Sequence, residues 1–400
     1  MARMWHWKKQ FIFFCIIALI LFSIMSAPEK EREQLEKIEE EKTLIEINTA
    51  LGQAEHWLTN NLNEKGYFNY LYNPEKDVYS TKNNMIRQLM ASRLLAELSQ
   101  SEKSLLLAHK KNLDYIFAQW YIEEDDKGYI YFNKKAKLGA QAMILRTLIY
   151  SPFFDEHEKE AEMIANTILS LQNEDGSFEP FFIEPSYSYK KDYLLTFYSG
   201  EAILALVEYY EKTKDEKYLQ VAMKSQDFYI NRYVTHLDEH YYPAYVPWHT
   251  LALNKLYKIT KEKKYADAIF ILNDKLLEIQ DHGEKEGGQL GRFYNPKTPQ
   301  YGSPHSSSDA VYTEGLAYAY EIATITKGEV HKRKYKRALA LGIYNLKKLQ
   351  YTEEKAKEYP SPERLVGAIR VNIDDPKIRI DTTQHMIDAF MKVQEVFEGK

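Results

Sequence analysis

From about residue 42 onward, apolar residues recur at helical spacing in pairs of segments, and six such pairs follow one another. The first member of each pair is longer and more charged: 42–63, 102–120, 156–173, 215–233, 263–281 and 329–350. The second is shorter and richer in small and apolar residues, beginning near 84, 138, 198, 247, 309 and 382. A helix with one apolar stripe belongs at a surface, and one that is apolar nearly all round belongs inside. The pattern therefore predicts an outer and an inner layer of helices. A helical hairpin of this size cannot bury its own apolar face, so the units must stack or close on one another. Six units suit a closed ring.

The links between pairs are short and charged, as in "KTKDEK" (212–217), "TKEKK" (260–264) and "TKGEV" (326–330), which joins antiparallel neighbours. The links within pairs are long, and most carry a turn glycine beside aromatics: "KGYFNYLYNP" (65–74), "KGYIYFN" (127–133), "DGSFEPFF" (175–182) and "LGRFYNP" (290–296). The fourth, "DEHYYPAY" (238–245), lacks the glycine, and the sixth, "VGAIRV" (366–371), lacks the aromatic. In a ring these links emerge together on one face, beside the amino-terminal ends of the inner helices. They are expected to wall a funnel whose floor is the inner layer.

Bulk properties narrow the function. The formal charge of -5, with acids and bases mixed throughout, lacks the dense positive field of a nucleic-acid binder. Nucleic acid is not an expected partner. The single cysteine, Cys15, excludes a disulfide framework and a thiolate zinc cluster. The 32 tyrosines supply flat apolar faces with polar tips, which suit sugar rings as well as cores. Cys15 lies in "FIFFCIIALILFSIM" (11–25), an uncharged run behind Trp5, Trp7, Lys8 and Lys9. The basic residues favour an inside amino terminus, so the remainder is expected to be extracytoplasmic. Met25 and Pro28 make a poor cleavage site around Ala27, and an uncleaved membrane helix is preferred over a removed signal peptide. The expected organisation is an anchor or signal segment (1–28), a charged juxtamembrane helix or linker (29–41) and a toroid domain (42–400).

On this pattern, and chiefly on "YSGEAILALVEYYEKTKDEKYL" (198–219), "VYTEGLAYAYEIA" (311–323) and "RIDTTQHMIDAF" (379–390), the chain resembles the six-hairpin, (α/α)6-toroid superfamily. That superfamily includes many glycoside hydrolases, polysaccharide lyases, the N-acylglucosamine 2-epimerases and the carboxyl-terminal domain of D-glucuronyl C5-epimerase. The resemblance implies an all-α fold of six hairpins and a carbohydrate ligand, and it carries no catalytic residue over. "LQNEDGSF" (171–178) is also similar to the Gln-x-x-Asp-Gly-Ser-aromatic repeats of terpene cyclases and prenyltransferases. There it stitches a helix end to a turn, with Gly176 supplying positive φ and Phe178 packing.

Overlaying the inner helices by their small residues places Gln88, Gln141, Glu201, His249, Glu314 and His385 at equivalent positions near their starts. A polar ring at the mouth of a toroid is the arrangement expected of a ligand cavity, and helix capping is the bland alternative. Glu201 and Glu314, on apolar helices where desolvation raises a carboxyl pKa, are the candidates for acid and base, with His385 beside them. Gln88, Gln141, His249, Tyr67, Phe178 and Asp175 are candidate substrate contacts. Asp381 and Gln384 fit an N-cap and its reciprocal partner. Arg87, Arg292, Arg370 and Arg379 flank the mouth; with the inner-helix amino termini they suit an acidic glycan, unless surface acids neutralise them. "HLDEH" (236–240) has zinc-site spacing but precedes a poor helix, and "SPHSSSDAVYTEG" (303–315) reads as a polar loop capped at Ser308. No metal or dissociable cofactor is called for. Hydrolysis of a polysaccharide is the leading expectation. Elimination or epimerisation at a uronate is the alternative, and a non-catalytic glycan-binding component of a cell-surface system is the rival class.

Overall fold

The computed structural model describes residues 29–283 and 289–399. The apolar run 11–25 lies outside them. Among the described residues no helix is long and apolar enough to cross a membrane. Twelve long helices form the described chain: α1 Glu29–Asn60, α2 Met85–Ser101, α3 Leu106–Trp120, α4 Leu138–Ile149, α5 Glu158–Ser170, α6 Lys191–Thr213, α7 Glu216–Ile230, α8 Tyr245–Thr260, α9 Lys263–Leu277, α10 Ser306–Ile325, α11 Glu329–Leu349 and α12 Ile380–Glu398. The charged stretch 29–41 is the start of α1, with no break in the helix at 42.

The even-numbered helices make the inner ring. Each packs against the next, and α12 packs back against α2, so the ring is closed. Each outer helix lies on the inner helix before it, with α1 on α12, as the short links require. Those links share one device. Thr213, Thr260 and Thr326 return their hydroxyls to the carbonyls of Tyr209, Leu256 and Ile322, and the lysine that follows each takes a left-handed φ of 61°, 61° or 57°. A left-handed residue after the last turn is the usual helix stop, here without glycine. The third inner helix begins at Lys191, earlier than the position near 198 suggested by its small residues.

The long links add short strands to an otherwise helical fold. β1 Leu71–Asn73 and β2 Val78–Tyr79 belong to the first link, β3 Tyr121–Glu124, β4 Lys127–Ile130 and β5 Ala136–Lys137 to the second, β6 Phe181–Ile183 to the third, and β7 Arg370–Asn372 and β8 Asp375–Arg379 to the sixth. β1 and β8 pair antiparallel, Leu71 opposite Arg379, within a sheet of order β2-β1-β8-β7. This sheet joins the first unit to the last. β5 and β6 join the second link to the third.

The glycines of the long links have a mechanical role. Gly176 (φ 93°) leaves no room for a Cβ, which would stand 2.8 Å from the Lys224 carbonyl oxygen of α7. Gly66, Gly291 and Gly367 meet the backbones of α3, α11 and α1 in the same conformation. A side-chain amide stitches each junction: Gln172 to Val221, Gln280 to Ala338, Gln350 to Ala50, and Asn112 back to Gly66. These turns seat each link on the neighbouring outer helix. The stitching role read from "LQNEDGSF" is therefore repeated around the ring.

Two residues past Gly66, Gly128, Gly291 and Gly367, the link is clamped from the inside. The backbone N–H of Phe68, Ile130, Phe293 and Ile369 donates to Gln88 Oε1 (2.9 Å), Gln141 Oε1 (2.7 Å), Asp309 Oδ1 (2.9 Å) and Thr383 Oγ1 (3.1 Å) respectively. Each acceptor is the fourth residue of its inner helix. The true register of the inner ring is thus Gln88, Gln141, Asp309 and Thr383, which corrects the alignment of Glu314 and His385 with the glutamines. Five residues further along the same helices stand Arg93, Arg146, Glu314 and Asp388, a belt of ionisable side chains one level deeper.

Candidate active site in the axial bowl

The deeper belt is held by ion pairs between adjacent inner helices. Arg93 of α2 reaches Asp388 of α12 and lies 2.7 Å from Glu97. Arg146 of α4 grips Glu208 of α6 with two bonds of 2.6 and 3.0 Å, and the Tyr150 hydroxyl donates to the same carboxylate. Below these, Glu321 of α10 takes Lys392 of α12 at 3.0 Å and Lys258 of α8 at 2.8 Å. Buried charges are costly unless paired. Here the pairing closes the far end of the ring with a charged floor.

Glu314 stands on that floor. Its Oε2 lies 4.0 Å from His385 Nδ1, and its carboxyl also faces Asp388. Burial raises the Glu314 pKa to about 8, with the Asp388 charge adding to the rise and Arg93 and Arg146 opposing it. Burial lowers His385 to about 4, against the pull of Asp388 and Asp381. At neutral pH a protonated carboxyl and a neutral imidazole therefore sit side by side. The Trp248 ring meets His385 edge-on at 6.0 Å, so α8, α10 and α12 each contribute to the centre. Glu314, His385 and Asp388 have donor atoms within 4.8 Å of one another. Asp388 Oδ2 is already taken by Arg93 and Gln384, and the adjacent guanidinium opposes a cation there.

Glu201 is placed differently. It is 1 % exposed, its Oε2 occupies the space left by the missing side chain of Gly139 on α4, and that oxygen has no hydrogen-bond partner among the described residues. Burial pushes its pKa to about 8, with Arg146 and Lys137 pulling the other way. Burial thus acts in the same direction on both glutamates expected to serve as acid and base.

Several other sequence-derived contacts are structural. His249 is fully enclosed: its ring bonds Ser199 at 3.0 Å and Gln226 at 3.2 Å and packs among Tyr229, Tyr233 and Tyr245. Gln88 and Gln141 spend their amides on the link backbones, Gln88 also donating to Asn83. Phe178 is buried in the core, Tyr67 packs on Tyr115 of α3, and Asp175 is bonded to Ser177 in the turn that seats on α7. These three belong to the outer stitching rather than to the bowl.

The arginines at the mouth are largely compensated. Arg87 and Arg379 share Asp381, at 2.9 Å and at 2.5 and 2.7 Å, and hold its carboxyl far below the ordinary range despite burial. Asp381 is therefore a charge partner and not an N-cap; Arg379 itself precedes the helix. Gln384 turns to Asp388 instead of closing a capping box. Arg292 is buried against Asp309 at 3.1 Å, and the Arg370 guanidinium lies 4.9 Å from the centre of the Tyr351 ring. The cap of α10 is His305, whose Nδ1 accepts from the Ser307 N–H at 3.0 Å, three residues before the expected Ser308. His236 precedes and His240 ends a four-residue helix, Leu237–His240, and His236 bonds the Asn231 carbonyl. Sequence reasoning missed Arg93, Asp388, Trp248 and Lys137; of these only the spacing of Asp381, His385 and Asp388 on one helical face was a readable signal.

Residues 153–295, from α5 to the fifth long link, match the family model "Beta-L-arabinofuranosidase, GH127 catalytic domain". That segment contains Glu201 and His249 but not Glu314 or His385. No curated protein matches the chain. Among solved structures, a D-mannose isomerase is similar with a TM-score of 0.67 at 12% identity, over 88% of this chain and 97% of that one. The GH76A alpha-1,6-mannanase of Salegentibacter sp. HEL1_6 gives 0.63 at 12% identity, over 88% and 99%. An unsaturated glucuronyl hydrolase specific for heparin gives 0.58 at 11% identity, over 88% and 98%. At such identities the likeness speaks for the fold. With its closed ring of helical hairpins, this chain has the six-hairpin, (α/α)6-toroid fold that these structures share.

Proposed function

We propose that the chain is a carbohydrate-active enzyme, in the first place a glycoside hydrolase, that seats part of a polysaccharide or oligosaccharide in the axial bowl and acts through Glu314 and His385. The observation that carries this reading is the buried Glu314 carboxyl 4.0 Å from the His385 imidazole, burial raising the pKa of the one and lowering that of the other. In hydrolysis, Glu314 gives its proton to the leaving glycosidic oxygen as the C–O bond breaks. Water then forms the new bond to that carbon and returns a proton to the Glu314 carboxylate, which His385, 4.0 Å away, positions. The match of residues 153–295 to a glycosidase catalytic-domain model supports the carbohydrate reading, though not these two residues.

A second reaction class is favoured by one observation. The two carboxylates that flank His385 on α12 are both engaged, Asp381 by Arg87 and Arg379, and Asp388 by Arg93 and Gln384. The free base is therefore an imidazole, which suits proton removal beside a carbonyl or carboxylate, as in isomerisation, epimerisation or elimination. Glu314→Gln and His385→Asn, assayed with aryl glycosides, oligosaccharides and free aldoses, separate the readings by their products. Glycosidic products lost in both variants support hydrolysis, and ketoses or epimers lost in both support the second class. Binding without turnover in the unaltered protein supports a glycan-binding component and contradicts both.

The apolar run 11–25 behind Lys8 and Lys9 supports an extracytoplasmic toroid tethered at its amino terminus. External protease that fails to digest the toroid on intact cells, with the outer envelope opened, contradicts it.

A further inference from the structure

The wall of the bowl between the second and third hairpins holds a cation with no partner. Lys137 precedes α4, its backbone fixed by pairing with Phe181 of β6. Its side chain is half-buried, yet its ammonium makes no ion pair or hydrogen bond among the described residues. It lies within electrostatic reach of Glu201 of α6 and Arg87 of α2. Burial, then the like charges of Lys135 and Arg87, lower its pKa, and only Glu201 opposes them. Burial in turn raises the Glu201 pKa to about 8, with Lys137 among the groups opposing the rise. Arg87 and Arg379 share a single carboxylate, Asp381, so that pairing leaves one positive charge over before Lys137 is counted.

The same wall carries exposed aromatic faces. Tyr187 is 53% and Tyr193 51% exposed, and both act on the Tyr198 hydroxyl, as do Glu201 and Arg87. Lys135 lies 4.9 Å from the centre of the Tyr187 ring. An unpaired cation in a partly desolvated site costs stability, and a fold that keeps one beside open tyrosine faces has the elements of a ligand site: a charge to match and rings on which a sugar can stack.

We propose that this wall is a subsite for a sugar bearing an anionic substituent, with Lys137 receiving the acidic group and Tyr187 and Tyr193 the ring. The inference rests on the carbohydrate reading of the bowl and names its substrate class. The shared chemistry is a carboxylate or a sulfate ester, which the Lys137 ammonium receives as a point charge, Arg87 being already bonded to Asp381 and Tyr70.

The test is calorimetric binding of three ligands of equal length, an oligo-uronate, a sulfated oligosaccharide and a neutral manno-oligosaccharide, to the unaltered chain, Lys137→Met and Lys137→Arg. The expected result is preference for an acidic ligand, weakened by salt, lost by about tenfold or more in Lys137→Met, and kept in Lys137→Arg. Neutral binding should not change. Which acidic ligand binds more tightly identifies the substituent. Independently of any ligand, Lys137→Met should raise Tm, because it removes an unmatched charge; this also shows that the variant folds. Equal affinity for acidic and neutral ligands, unaltered by Lys137→Met, overturns the subsite and leaves the carbohydrate reading standing. No binding of any of the three overturns both.

Discussion

Two carboxyls are held far from their ordinary protonation, and each makes a different prediction. Glu201 and Glu314 are both raised to about 8 from 4.5. Between those values the folded chain keeps protons that the unfolded chain has released, so these groups favour folding at low pH and lose that contribution as pH rises through the window. Tm is expected to fall between about pH 5 and about pH 8, and to fall less steeply in Glu201→Gln, which keeps the shape and cannot ionise. Identical slopes in thermal melts would show that Glu201 is not the buried acid described. Asp381 has the opposite sign, since its carboxyl is held low: its contribution is present at neutral pH and disappears only in strong acid. For Glu314 the expected effect is on rate, because truncating a general acid removes about 10²- to 10⁴-fold of turnover. Glu314→Gln should lower kcat by that order while leaving the melting profile at acid pH intact.

At the level of elements, the recurring unit is a glycine seated on an outer helix and a link residue clamped by the fourth residue of an inner one. Gly291 and Gly367 have φ of 85° and 92°, and a Cβ at either would collide with the backbone of Leu341 or Gln53. Gly291→Ala and Gly367→Ala should each destabilise the fold by about 2 kcal/mol or more, seen as a lower urea midpoint; Gly302→Ala, in open space, should cost much less. This unit also explains what could be read in advance. The helices and their alternation were legible because apolar spacing is a local property. The register was not, because a glutamine, an aspartate and a threonine do the same clamping work at Gln141, Asp309 and Thr383. Overlay by small residues therefore put Glu314 and His385 at the wrong level. The site was half legible for the same reason. His385 and Glu314 stood out as polar groups on apolar helices, whereas Arg93 becomes meaningful only through Asp388, 295 residues away. Lys137 looks like any other lysine until its surroundings are known.

For the molecule as a whole, closure is the property on which the bowl depends. α12 packs on α1, α2 and α10, and the β1–β8 pairing ties the first link to the sixth. The Trp57 indole donates to the Arg364 carbonyl at 2.9 Å across the same seam. A ring without free ends should unfold as one unit, unlike an open solenoid whose repeats unravel from an end. Truncation after Arg379 is expected to abolish native hydrogen-exchange protection throughout the inner ring, including α4 and α6 on the far side. Persistence of protection in α4 to α8 would mean that the hairpins are stable as a stack and that the bowl is incidental to folding. The charged floor belongs to this scale too: four inner helices contribute Arg93, Arg146, Glu314 and Asp388, and no subset of hairpins reproduces that field.

The most direct measurement of the central claim is the pH dependence of kcat/KM on whichever carbohydrate the chain turns over, compared between the unaltered protein and Glu314→Gln. A single alkaline limb near about pH 8 is expected, marking loss of the Glu314 proton, with activity reduced at least a hundredfold and the limb removed in the variant. Activity in Glu314→Gln within a few-fold of the unaltered protein, with the alkaline limb in place, would contradict it.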